Sequence, residues 1–210
     1  MLDDVLVIER WGLVSGITGV VANGLLVTLY AVALPGNDDY DWTGPANDVI
    51  GAVSAGAMIP VACATYRLLG RGRTLRVATV LATCAMGSIV VLSFLLVTGV
   101  VPFAVQGTGA GIAVLFWFAW LYLVGRRGLE TGRLPRRLAR AAQLIGGAIP
   151  LAAPLAGLSF LLPAKSVPKY ILSGAGLGIG VSAFLAYPIW LLLFSSRLRA
   201  HLQPSLRPHI

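Results

Sequence analysis

Long apolar runs alternate along this chain with short polar or basic stretches. Crossing about 30 Å of hydrocarbon takes about 20 residues at 1.5 Å each. Runs of that length, bounded by charged or turn residues, fall at 11–34, 49–69, 77–101, 141–162 and 170–195. A sixth belongs between Pro102 and Gly125, because Gly111 to Val124 is apolar and aromatic and the chain must return to the basic stretch that follows. Its start is set near 107, since Pro102 with Gly107, Gly109 and Gly111 can make a turn or a loosened first helical turn. The pattern predicts an all-α polytopic membrane bundle, one transmembrane domain over 1–210 with helices at about 11–34, 49–69, 77–101, 107–125, 141–162 and 170–195. Residues 196–210 follow as a basic cytoplasmic tail. The first ten residues put Leu2, Val5, Leu6 and Glu9 at helical spacing, and read either as a short interfacial helix or as a lead into the first span.

Composition agrees with the pattern. With 57% hydrophobic and 11% charged residues, a soluble domain of this size could not cover its apolar side chains. The net charge of +8 would suit nucleic acid, but the basic residues sit in clusters between apolar runs, so no nucleic-acid partner is expected. They act instead as topology signals. Arg67, Arg71, Arg73 and Arg76 follow the second run, Arg126 to Arg140 follow the fourth, and Arg197, Arg199 and Arg207 follow the sixth. Placing both termini in the cytoplasm puts fourteen arginines and four acids inside, and two lysines and four acids outside. Arginine in place of lysine, with much Ala, Gly and Val, points to a bacterial chain of the cytoplasmic (inner) membrane. The first ten residues lack a basic signal-peptide region, so the first helix should be retained. Two cysteines rule out both a disulfide framework and a four-cysteine metal site.

Charge inside the bilayer costs several kcal/mol and marks function, and this pattern places no ionisable group deep in a span. That speaks against a carboxylate proton relay. His201 and His209 lie in the tail, which speaks against haem or metalloprotease chemistry, and neither cofactor nor metal is expected. Four residues remain as ligand or pore candidates. Asn23, well along the first helix, needs a hydrogen-bond partner, either a neighbouring helix or a ligand. Cys63 and Cys84 lie at similar depth on adjacent helices and read as a facing pair or as small apolar residues. Arg67 sits near the end of its helix, where it can snorkel to the interface or hold a substrate. In the first external connection, Asp38, Asp39 and Asp41 form a candidate cation site beside Tyr40 and Trp42, or simply a solvated negative loop. Small residues spaced by four, such as Gly12 with Gly16, Ala142 with Gly146 and Gly176 with Gly180, predict close helix packing. Trp117, Trp120 and Trp190 read as interfacial belt and packing residues.

The segments Ile59-Pro-Val-Ala-Cys-Ala-Thr-Tyr-Arg-Leu-Leu69, Gly132-Arg-Leu-Pro-Arg-Arg-Leu138 and Tyr187-Pro-Ile-Trp-Leu-Leu-Leu193 resemble an uncharacterised group of bacterial six-helix integral membrane proteins of unknown function. The resemblance implies topology and brings no catalytic residues. The leading expectation is a non-enzymatic membrane protein that binds a partner protein, another copy of itself, or anionic lipid at its cytoplasmic face. The alternative is a small permease or channel, on its own or as the membrane subunit of an export system, which would require a cavity reaching Asn23.

Overall fold

The computed structural model describes residues 2–33, 42–70, 72–163 and 166–206, with the side chains of 32, 33 and 203–206 left aside. These residues form six helices and no strand: α1 Leu2–Thr28, α2 Thr43–Leu69, α3 Arg73–Val97, α4 Phe103–Thr131, α5 Arg136–Ser159 and α6 Val167–Leu206. A single π-helical turn, Leu29–Ala33, extends α1. All six are long and apolar enough to cross a membrane. The chain is therefore a multi-pass membrane protein by length and composition.

Each helix runs antiparallel to the next and the ring closes. Ser15 of α1 meets Ser54 of α2, Thr79 of α3 meets Trp120 of α4, and Leu138 of α5 meets Trp190 of α6. Asn23 of α1 reaches Phe184 of α6, while Gly12 lies against Ser195, so the first and last helices are also antiparallel neighbours. Both described ends of the chain and the connections 70–72 and 132–135 consequently share one end of the bundle, here called the terminal end. The connections 98–102 and 160–166 mark the far end.

Every helix departs from its expected bounds, α3 and α5 by three to five residues at each end, and four of the departures have a local cause. The first span begins at Leu2 as one continuous helix, because Val5 and Ile8 are buried in the core and anchor its first turns. Pro45 falls in the first turn of α2, where its missing N–H costs nothing, so that helix starts at Thr43 and takes in Asn47 and Asp48. For α4, Phe103 follows Pro102 directly and all three glycines are helical. Its far bound extends past Gly125 to Thr131, supported by Arg126–Glu130 and Arg127–Glu130 pairs and closed by Gly132 in the left-handed conformation. The expected tail is helical as far as Leu206, since Leu191, Phe194, Leu198 and Leu202 continue one buried stripe.

The large, fully buried side chains gather in the terminal half of the bundle. Ile8, Met58, Leu68, Trp120, Phe194 and Leu198 are among them. Lipid offers no hydrophobic drive for helix association, so contact must come from close packing and hydrogen bonds, and both are present. A Cβ on Gly125 would stand 2.5 Å from the Ala139 carbonyl oxygen, and one on Gly146 would stand 2.7 Å from the Phe118 carbonyl oxygen. Those two glycines let α4 and α5 touch backbone to backbone. Gly176 does the same for α5 and α6, and Gly16 makes room on α1 for the Leu192 side chain of α6, whereas Gly157, Gly174 and Gly178 have open space beside them. The Trp120 indole donates to Thr79 Oγ1 at 3.1 Å and the Trp190 indole to the Leu138 carbonyl at 2.9 Å, so both are buried structural residues rather than an interfacial belt. At the terminal edge Arg67 pairs with Asp4 at 2.6 Å, Arg199 lies 3.7 Å from Glu9, and Arg133 donates to the Leu68 carbonyl.

Candidate functional site

Although α5 and α6 stay in close contact at Gly176, the centre of the bundle opens beyond the level of Trp117 and Tyr187. Between there and the far end lies a cavity of about 170 Å³, walled by α1, α2, α3, α4 and α6. Two helical stripes build most of it. On α2, Asn47, Asp48, Gly51 and Ser54 share one face; on α4, Gln106, Ala110, Val114 and Trp117 share another, each set at the spacing of neighbouring turns. Ser93 and Asn23 add polar groups from α3 and α1, and Trp117, Phe118, Tyr187 and Pro188 form the floor.

Polar satisfaction differs from wall to floor. Ser15 and Ser54 are fully engaged, each hydroxyl donating to the other's backbone carbonyl at 2.9 Å, which fastens α1 to α2 at the cavity's lower edge. Asn23 donates to the Phe184 carbonyl at 3.4 Å, a long bond that leaves most of the amide's capacity unused. Asn47, Asp48, Ser93 and Gln106 make no side-chain hydrogen bond or ion pair to another described residue. Trp117 stands edge-on to Tyr187, with centroids 5.2 Å apart and planes at 84°. Both residues are more than nine-tenths buried, yet the Trp117 N–H meets the Tyr187 hydroxyl only in a poorly formed contact, and neither group has another hydrogen-bond partner. An unmet buried donor costs about 1 to 3 kcal/mol. Trp120 and Trp190, in the packed half, meet no such cost.

The sequence-predicted residues divide sharply. Asn23 lies in the cavity wall. Arg67 is at the terminal edge, half-exposed and paired with Asp4. Cys63 and Cys84 are free thiols outside the cavity, and Cys84 is exposed on the bundle surface. Asp38, Asp39 and Asp41 lie outside the described residues, as do Tyr40, Arg71 and His209. Among the described residues no group of three or more His, Cys, Asp or Glu could hold a metal ion.

One bound bears on the site. The expected second span starts at 49, but Asp48 sits inside α2, five residues or about 7.5 Å from its first residue and so near its far end. The Asn47-Asp48 pair reads as connection because hydropathy windows exclude it. A signal for the true start was present in Thr43-Gly-Pro45, a proline in a first turn. Gln106, Trp117 and Tyr187 were likewise missed, and the spacing of small and polar residues down α2 and α4 was the sign that would have joined them.

Compared with protein-family models, with curated proteins and with solved structures, the chain matches none. What it does must be argued from its own geometry.

Proposed function

We propose that this chain is a non-enzymatic carrier of a bacterial inner membrane, with both termini cytoplasmic, that takes a small polar solute into the far-end cavity and moves it across the bilayer. The supporting observation is the pairing of unpartnered polar groups with a built container. Asn47, Asp48 and Gln106 line the wall, and at the floor the buried Trp117 N–H and Tyr187 hydroxyl have only each other, in a poorly formed contact. A space of about 150 Å³ accepts benzene, so a cavity of about 170 Å³ suits a solute of roughly that size or smaller. Its amides, single carboxylate, phenol and indole can orient a ligand; they supply no nucleophile with a histidine partner. In this reading the terminal-half core is a closed gate, and delivery requires that core to part. Pro60, Pro150, Pro154 and Pro188 each remove a helix hydrogen bond and so offer places where helices can bend.

Short connections of 70–72 and 132–135 at the terminal end leave no room for a coupling helix, which favours a carrier acting alone over an export-system subunit. Membership of the uncharacterised six-helix group goes with this reading on the three segments that resemble it. The expectation of an anionic-lipid partner is kept for the terminal end, where Arg73, Thr74, Arg126, Arg127 and Glu130 line a hollow of about 240 Å³ beside the start of α3.

Uptake of radiolabelled glycerol, ethanolamine, acetate and alanine into proteoliposomes tests the carrier. Saturable uptake of at least one is expected, lost in Gly51→Leu, whose new side chain grows into space where a Cβ now meets nothing within 4 Å. Uptake of none above empty liposomes, or equal uptake by wild type and Gly51→Leu, overturns the reading.

A further inference from the structure

The walls also specify the solute's charge. We infer that the cavity takes a small organic ammonium that carries a hydrogen-bond acceptor, with Asp48 as counter-ion and Trp117 as the donor that reads the acceptor. This rests on the solute-binding reading above and narrows it.

Three observations converge. First, among the described residues Asp48 is the one charged side chain in the cavity wall, and none of them pairs with it: Arg67, Arg73, Arg126 and Arg127 line other surfaces, at the terminal end. A carboxylate within a membrane span is normally paired, so the missing partner is expected from the ligand. Second, the surroundings favour a soft cation. Phe118, Tyr187, Trp117 and Phe184 bring aromatic rings to the same space, and an ammonium against such rings is attracted more strongly as water is excluded. Third, the floor asks for an acceptor. An indole N–H only donates; Trp117 is buried, and its N–H finds no more than a poorly formed contact with the Tyr187 hydroxyl, against whose ring it packs. A hydroxyl or carbonyl on the ligand would meet it. An anion would meet Trp117 but face Asp48 unpaired, and a plain alkylammonium would meet Asp48 but leave Trp117 unmet.

Four molecules of equal heavy-atom count separate these demands: ethanolammonium has the cation and the acceptor, propylammonium only the cation, ethylene glycol only the acceptor, and 1-propanol a single hydroxyl without charge. Binding of each to the full chain in nanodiscs is measured by saturation-transfer NMR titration, with Gly51→Leu defining the component due to the cavity. Ethanolammonium is expected to bind tightest, propylammonium several-fold weaker, and ethylene glycol and 1-propanol at least tenfold weaker. Asp48→Asn should weaken both amines at least tenfold and leave ethylene glycol unchanged. Trp117→Phe should bring ethanolammonium down to the level of propylammonium and leave propylammonium unchanged. The wild-type ranking decides the matter even if a variant does not fold. Ethylene glycol or 1-propanol binding as well as ethanolammonium overturns the ammonium assignment while leaving a solute-binding cavity. Ethanolammonium and propylammonium binding equally overturns the acceptor role of Trp117. No Gly51-dependent binding of any of the four, the result for a cavity filled by water alone, overturns this inference, and the carrier itself falls only if uptake is also absent.

Discussion

The centre of this bundle is built from the same helices at both ends and is packed differently in each half. Towards the terminal end, α4 and α5 touch at glycines with no room for a methyl group, and the buried indoles of Trp120 and Trp190 have partners. Towards the far end, Gly51 has empty space beside it even though Gly176 still touches α5, and Trp117, also buried, has only a poorly formed contact with the Tyr187 hydroxyl. Only a few residues separate Trp117 from Trp120 along one helix. A bilayer gives no reward for merely burying apolar surface within the bundle, so unmet donors beside a cavity are hard to justify by packing and natural to justify by a ligand.

Variants that treat the two halves alike should expose that difference. The largest contrast is expected from glycine to leucine. At Gly146 the added side chain must displace the backbone of α4, and a loss of about 3 kcal/mol or more is expected, seen as aggregation on size exclusion. At Gly51 the same change should leave the melting temperature in detergent unchanged or raised. Equal damage at both sites would remove the contrast.

A smaller test compares tryptophans. Trp190→Phe loses the 2.9 Å bond to Leu138 and should cost about 1 to 2 kcal/mol in a denaturant titration. Trp117→Phe deletes a donor whose contact with the Tyr187 hydroxyl is poorly formed, and is expected to be neutral or stabilising by up to about 1 kcal/mol. Smaller still is Arg67→Ala: its pair with Asp4 is short but half-exposed, so under about 1 kcal/mol should be lost, and less in high salt. A large loss there would show that the terminal edge, rather than the core behind it, holds the packed half together.

Much of the fold could be read from the sequence because bilayer thickness imposes one strong period on it. Six spans and their approximate centres follow from run length alone, and the packing roles of Gly16, Gly146 and Gly176 follow from small-residue spacing. Bounds were less legible because hydropathy counts charge as a stop. The arginine-rich stretch after Leu193 continues a buried stripe through Leu198 and Leu202, and the polar stretch before Val49 is already helix in α2. That second shift concealed most of the site. Asn23 could be singled out as a lone amide within an apolar run, but Asp48 and Asn47 were assigned to a connection. The poorly formed contact of Trp117 is a property of three-dimensional packing that no local pattern carries.

The central claim is that the far half is a water-reached, built cavity extending down to Asn23. In a chain carrying Cys63→Ala and Cys84→Ala, single cysteines at Asn23 and, as a packed-half control, at the fully buried Ala62 can be exposed in nanodiscs to the charged thiol reagent 2-aminoethyl methanethiosulfonate. Mass spectrometry then gives the rate of modification. The account predicts that Asn23→Cys is modified at least tenfold faster than Ala62→Cys, and that Gly51→Leu removes the difference. Equal protection of both cysteines would contradict it, because Asn23 would then lie in a half packed as tightly as the other.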